Sequence, residues 1–511
     1  MDNIYVKITE LYEKYKNSPK TINKLNTYIT KHLPQLLEKC NDQEQKSLYL
    51  EKESQKYINE FLTDPYLQFF YISPTDMFIK YTGKNYEIVN EDEVWYTILT
   101  DITKKNVLVE WKQKIKNIII KQIKNNSLFN TIPESHTVQQ VIKYLTPTLL
   151  VNKDHAKYFL ALLGDNILGK NQNLTFFTCH ESKYFLENLE HFCLCYFKTK
   201  LNITSNIKFK YRNQDYKNCR IIYFTKSIQN TNNWFHYMKH NLFNIIAVAC
   251  HYSNRFKNSD KYLTTKNYSF KDKVLYIKNN TEEAIVQRFI NQMITFKDNH
   301  DYNIHFNDIY FLWKSYLIIN NLPNMMYKIT FETLIKKKIK STNNHFTGIE
   351  STYLKNIKLF KKFWHNTIIH DQDDEIEISE LYVIFNNWTN NNKKKMIDFS
   401  EEDFSNMIKH FYPDIIIEDD KNLQNIKCVK WDKQKDMVDF LTNNYNDIVE
   451  TGENISLFQL YVLYCNYTQD TDKLTVSKNY FIRYIDRVIP RQYISNNYIL
   501  HSYFDLTSTS S

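Results

Sequence analysis

Ile378-Ser-Glu-Leu-Tyr-Val-Ile-Phe-Asn-Asn-Trp388 is one of three versions of a single pattern in the C-terminal part of this chain. The others are Phe306-Asn-Asp-Ile-Tyr-Phe-Leu-Trp-Lys-Ser-Tyr316 and Leu457-Phe-Gln-Leu-Tyr-Val-Leu-Tyr-Cys-Asn-Tyr467. The shared tyrosine falls at Tyr310, Tyr382 and Tyr461, a spacing of 72 and then 79 residues. Each copy is followed by a hydroxyl residue opening a second helical pattern: Thr330, Ser400 and Ser477. Three occurrences with the same downstream element read as tandem, diverged copies of one small helical module.

The middle copy shows what the module is. Ser379 is placed to cap a helix, and Leu381, Ile384, Phe385 and Trp388 recur at i, i+3, i+4 and i+7, which gives one apolar face. Ser400 opens the next helix, with Glu401, Glu402 and Asp403 at its positive end and Phe404, Met407 and Ile408 facing inward. After Pro413 come Ile415–Ile417, the polar stretch Glu418–Asn422 and Ile426–Trp431, which read as a β-hairpin. Helix, turn, helix and hairpin predict a winged helix. The third copy has a shorter hairpin around Ser495-Asn-Asn497, and the first has only a weakly patterned candidate near His345–Ile349.

Composition bounds the partners less than it first suggests. The 511 residues carry a net charge of +9, but Lys, Asn, Ile, Tyr and Phe abound while Gly and Ala occur five times each and Arg seven. Those are AT-rich and GC-rich codon classes respectively, so genome composition accounts for much of the basic balance. Position is more informative. Arg483, Arg487 and Arg491 lie four apart, the first two on one face of the third copy's second helix. Lys336, Lys337, Lys338 and Lys340 occupy the equivalent helix of the first copy, and Lys393, Lys394 and Lys395 the turn of the second. In a winged helix these elements are offered to a DNA groove or backbone, and arginine adds bidentate phosphate recognition. A solvated helix face is the structural alternative.

Eight scattered cysteines argue for a reducing compartment. The N-terminus is charged from its second residue, and no apolar run approaches the roughly 20 residues of a membrane helix. A soluble intracellular protein without membrane contact is expected. Along the chain, residues 1–62 read as an N-terminal helical region and 63–150 as an α+β connecting domain, with a hairpin turn at Tyr81-Thr-Gly-Lys84. Residues 151–303 follow as an α/β core, with strands at Leu174–Phe177 and Arg220–Phe224 and a helix at about 232–253. The three modules take 304–370, 374–440 and 453–511.

Ala156-Lys-Tyr-Phe-Leu-Ala-Leu-Leu-Gly164, then Asn166-Ile-Leu-Gly-Lys170 and Leu174-Thr-Phe-Phe-Thr-Cys-His-Glu-Ser-Lys183, resemble the approach to the phosphate loop of superfamily 3 helicases. With the Ile378–Trp388 helix, the chain resembles the poxvirus-type primase–helicases of large DNA viruses in broad order over about 130–440. The resemblance implies a P-loop-like α/β core ahead of winged-helix modules, and a role in viral DNA replication or transcription. It also implies nucleic acid, DNA rather than RNA, and other replication or transcription proteins as partners. The place would be the host cytoplasm or viral factory, with packaging in the virion a further option.

The catalytic residues do not carry over. With Lys183 in the lysine place, the loop's glycine positions hold Phe177 and Ser182, and the magnesium-binding hydroxyl position holds Tyr184. The strand that would end in metal-binding carboxylates runs into Thr225-Lys-Ser227. The expectation is a degenerate ATPase site with Lys183 a vestige, no catalytic residues and no cofactor. An active helicase with an atypical loop and a virion or protein-docking scaffold are the alternatives. His236 and His240 have the spacing of a zinc pair, and Cys179, His180, His191, Cys193 and Cys195 cluster locally. Neither set supplies ligand spacing for a complete site, and no metal is expected.

Overall fold

A computed structural model of the chain describes residues 2–170, 173–297, 303–391, 399–444, 454–471 and 473–500. Helices dominate, and six small sheets of two or three strands are present among the described residues, so the class is mixed α/β. The chain divides into two compact units, residues 1–281 with 320–326 and residues 282–319 with 327–511.

The first unit begins with helices Asp2–Lys14, Pro19–Thr27 and Leu33–Thr63, and burial starts only at Leu50 of the last. A meander of Gln68–Ile72, Met77–Tyr81 and Tyr86–Val89 follows, turning through Gly83 at φ +78°. Successive side chains of a strand point to opposite faces, so the sheet serves two cores. Phe69 and Phe78 pack with Ile98, Ile102, Ile115 and Ile119. Phe70, Ile79, Tyr81 and Tyr86 join the larger core around helices Lys153–Ile167 and Phe235–Phe256.

Those two helices cross at Gly164, where an added Cβ would lie 2.1 Å from the Ala249 carbonyl oxygen. Beside them, strand Thr175–Phe177 lies between Ile207–Lys208 and Cys219–Ile221, parallel to both. The strands are shorter than the periodicity predicts, although Thr178 and Ile222 just beyond them stay buried and still donate to the Lys208 and Phe177 carbonyls, and the long helix runs Phe235–Phe256.

The second unit contains the repeats, and each copy is longer than the sequence pattern reveals. The first runs through helix Glu282–Met293, strand Asn303–His305, helices Phe306–Ile319 and Lys328–Lys338, and strands Ser341–Thr342 and His345–Thr347. The second has Leu354–Thr367, Ile368–Glu377, Ile378–Asn391, Glu401–Phe411, Ile417–Glu418 and Asn422–Cys428 in the same order. The third has Lys433–Asn443, Ile455–Ser456, Leu457–Asp470, Lys478–Val488, Ile494–Ser495 and Tyr498–Ile499. In every copy the strand preceding the second helix pairs with the last strand of the hairpin, which pairs with its own first strand.

The same side chains build each copy. Ile304 faces Phe346, Ile376 faces Leu423 and Ile455 faces Ile499 across equivalent strands. One aromatic from each helix meets in the core. Phe289, Trp313 and Phe331 have ring centroids 4.7–5.5 Å apart. Phe360, Phe385 and Phe404 lie 5.1–6.4 Å apart, and Phe440, Tyr464 and Phe481 5.2–6.3 Å. The hairpins turn through two left-handed residues at Asn343-Asn344, Asp419-Asp420 and Asn496-Asn497. Asn and Asp tolerate that conformation better than other side chains do.

The repeated tyrosine has a structural task in two copies. Tyr382 Oη donates to the Phe399 carbonyl at 2.7 Å and Tyr461 Oη to the Val476 carbonyl at 3.1 Å. Each acceptor immediately precedes the N-cap of the third helix, Ser400 or Ser477, whose hydroxyl accepts from a backbone N–H of the first turn. Two expected caps differ. The N-cap of the Lys328–Lys338 helix is Tyr327, which places Thr330 inside it. Ser379 lies inside the helix that starts at Ile378, and Glu380 accepts from the Glu377 N–H instead. The acidic run Asp371–Glu377 belongs to strand Ile368–Glu377.

Candidate nucleic-acid interface

In the first unit, the segment after strand Thr175–Phe177 closes on its own side chains. Phe177 and Ser182 are fully buried. Ser182 Oγ donates to the Cys179 carbonyl at 2.8 Å and lies 3.2 Å from Thr178 Oγ1. Lys183 begins helix Lys183–Phe197 and its ammonium is 3.6 Å from Glu187, one turn on. Tyr184 is exposed and meets Trp234 edge-on at 5.7 Å. A phosphate cradle requires open backbone N–H groups, and here the Thr178 and Ser182 N–H groups already donate to the Lys208 and Cys179 carbonyls at 3.1 and 3.3 Å. On the neighbouring strand, Arg220 is buried and holds Asp260 through two nitrogens at 3.0 and 2.7 Å. Lys226 lies in a helical turn beyond it.

The histidine and cysteine groups are local. His236 and His240 rings are 4.3 Å apart, with His240 Nδ1 2.8 Å from the His236 carbonyl. Cys195 Sγ lies 3.5 Å from His191 Nε2, while Cys193 is buried and its thiol pKa is pushed up by desolvation. Among the described residues, no three His, Cys, Asp or Glu side chains converge as a metal site would require.

The candidate cations of the second unit separate into held and unheld groups. Lys336 Nζ donates to Glu332 at 2.5 Å and to Asn344 at 3.3 Å. Arg483 pairs with Glu375 of the second repeat's first strand. Arg487 lies by the Tyr484 ring, 6.0 Å from its centroid. Arg491 opens the turn Arg491–Tyr493 before the hairpin. Lys337, Lys338, Lys340, Arg487 and Arg491 are all exposed and, among the described residues, make no ion pair. Lys393, Lys394 and Lys395 lie outside the described residues.

Arg483 and Arg487 line a cleft of about 370 Å³ with Gln372, Asp374, Gln424 and Tyr480. Burial raises the Asp374 carboxyl pKa, opposed by a hydrogen bond from the Glu375 N–H and by the charge of Lys433. Beneath the cleft, Lys433 Nζ donates to Glu380 Oε2 at 2.5 Å, and Glu380 Oε1 accepts from the Ser477 N–H at 2.8 Å. The third helix of the third repeat therefore starts against the second repeat. Within the third repeat, Lys473 pairs with Asp436 and Asp439 at 3.1 and 3.2 Å. None of these partners was legible in sequence, since Glu380 and Ser477 lie 97 residues apart.

The second repeat's own third helix is differently engaged. His410 near its end has Nε2 2.9 Å from the Asn307 carbonyl, and Phe411 packs on Phe311 at 5.3 Å. Lys409 pairs with Asp420 at 2.9 Å. No helix among the described residues is long and apolar enough to cross a membrane. No protein-family model, curated protein or solved structure matches the chain.

Proposed function

We propose that the second unit is a tandem array of three winged helices that binds nucleic acid, duplex DNA in preference to RNA. In this reading the first and third repeats make the contacts and the second is the spacer between them. The observation that carries it is the set of exposed, unpaired cations at equivalent places. Lys337, Lys338 and Lys340 lie at the end of one third helix, and Arg487 and Arg491 at the end of another. The helix–strand–helix–helix–hairpin order, with its first strand beside the last, supports the winged-helix reading. The second repeat's third helix begins Glu401-Glu402-Asp403 and ends against the first repeat, which favours protein contact there.

The first unit acts in this proposal as a helicase-like core without ATP hydrolysis, in a protein related to viral primase–helicases and serving replication or transcription complexes. The filled segment at Phe177–Ser182 supports it. The test is duplex binding by the full chain with and without ATP and magnesium. Binding that ignores nucleotide and survives Lys183→Ala supports the reading; binding or unwinding that requires ATP and Lys183 contradicts it and restores the helicase alternative.

A further inference from the structure

The second unit contains a cavity of about 630 Å³ between the second helix of the first repeat and the third helix of the second. Its lining includes Phe311, Ile318, Ile319, Tyr353 and Met407, an apolar wall, with Lys314 beside His410 and with Lys409 and Asp403 also on the lining. We propose that this cavity binds a small amphipathic anion, whose apolar body occupies the wall and whose carboxylate or phosphate head pairs with Lys314.

The charges explain the choice of anion. His410 Nε2 faces a carbonyl oxygen, the Asn307 oxygen at 2.9 Å, which only accepts. Nε2 therefore carries the proton, and Nδ1 accepts from the Lys314 ammonium at 3.0 Å. Burial holds His410 neutral, its pKa lowered to about 4, so this contact gives Lys314 no counter-charge. Lys314 also lies 5.4 Å from the Tyr310 ring centroid, and Lys328 is 5.1 Å from the same ring.

Among the described residues no carboxylate pairs with Lys314 or Lys328, because the nearby acids are committed elsewhere. Asp308 holds Lys361, Asp420 holds Lys409, and Asp403 accepts from the Ser400 N–H and hydroxyl at 3.0 and 2.7 Å. Lys314, an exposed ammonium without a carboxylate partner on the lining of an apolar cavity, is stabilised by an anion supplied from outside. The cavity also falls in the roughly 300–1,000 Å³ range of small-ligand sites. Exposed Ile318, Ile319 and Tyr353 make part of its lining accessible from solvent.

The probe is 8-anilinonaphthalene-1-sulfonate, an aromatic body with one anionic head, titrated into the full-length chain and followed by fluorescence. One saturable class of site is expected, displaced by decanoate or decyl phosphate but not by decanol. Lys314→Gln should weaken probe binding at least about tenfold at an unchanged thermal midpoint, and Lys314→Arg should restore most of it. Decanoate and decyl phosphate separate carboxylate from phosphate preference. Full affinity in Lys314→Gln, or equal displacement by decanol, overturns the proposal. So does failure of Lys314→Arg to restore binding, which would make the lysine a packing residue.

Discussion

Lys433 and Glu380 form an ion pair with only 3% and 7% of their side-chain surfaces exposed, and the second oxygen of Glu380 receives the Ser477 N–H. A buried pair is weak evidence for net stability, but removing one partner strands the other charge. Lys433→Met alone should destabilise the second unit by about 3–5 kcal/mol. Lys433→Met with Glu380→Gln keeps an acceptor for Ser477 and should recover much of that loss. Urea unfolding of the single and double variants checks both values.

Tyr382→Phe and Tyr461→Phe should each cost about 1 kcal/mol, the net worth of a hydroxyl-to-carbonyl bond. The bonds lie in separate repeats, so the losses should add. Duplex affinity should stay unchanged, because the hydroxyls hold the start of the third helix rather than a ligand. Denaturation and binding measured on the same preparations separate the two effects.

Gly164→Ala offers a better helix former, worth about 1 kcal/mol in isolation, but its Cβ would lie 2.1 Å from the Ala249 carbonyl. The crossing helices must part, so a net loss of about 1–3 kcal/mol is expected. Chemical denaturation of the full chain reads this in the transition assigned to the first unit.

His155 is buried against Phe270 and Tyr223, with Nδ1 2.9 Å from Asn152 Oδ1. Desolvation first, then the charge of Lys273, lowers its pKa to about 4, against an opposing effect from Asp154. The unfolded chain then binds the proton first as pH falls below about 6.5. The contribution is present above that pH and is lost down to about 4, at a slope of at most about 1.4 kcal/mol per pH unit. Stability measured from pH 7 to 4.5 should fall less steeply in His155→Gln than in the parent.

The second and third helices of each repeat were legible because their apolar faces recur at helical spacing around Tyr310, Tyr382 and Tyr461. The first helices were not, although they start at Glu282, Leu354 and Lys433 with the same 72- and 79-residue spacing. Lysines interrupt the faces of the second and third of these helices, and strands of two or three residues such as Ile455–Ser456 are too short to show alternation. Aligning Ile304, Ile376 and Ile455, which keep that spacing, would have exposed the strands that follow these helices. The weak first hairpin became legible only from its turn, Asn343-Asn344, which matches Asn496-Asn497 in type and conformation. At the candidate interface the basic residues were visible but their pairing was not. Nothing local to Arg483 announces Glu375, more than a hundred residues earlier, as the group that holds it.

The salt dependence of duplex binding separates a nucleic-acid array from a set of protein-docking modules. Fluorescence anisotropy of a labelled DNA duplex would be followed from low to moderate salt for the full chain and for the variant Lys337→Ala, Lys338→Ala, Lys340→Ala, Arg487→Ala, Arg491→Ala. Tight binding by the parent is predicted, with a log–log salt slope shallower by about 4 to 5 in the variant, one counterion per lost phosphate contact. No binding by the parent, or the same slope and affinity in a folded variant, would contradict the account.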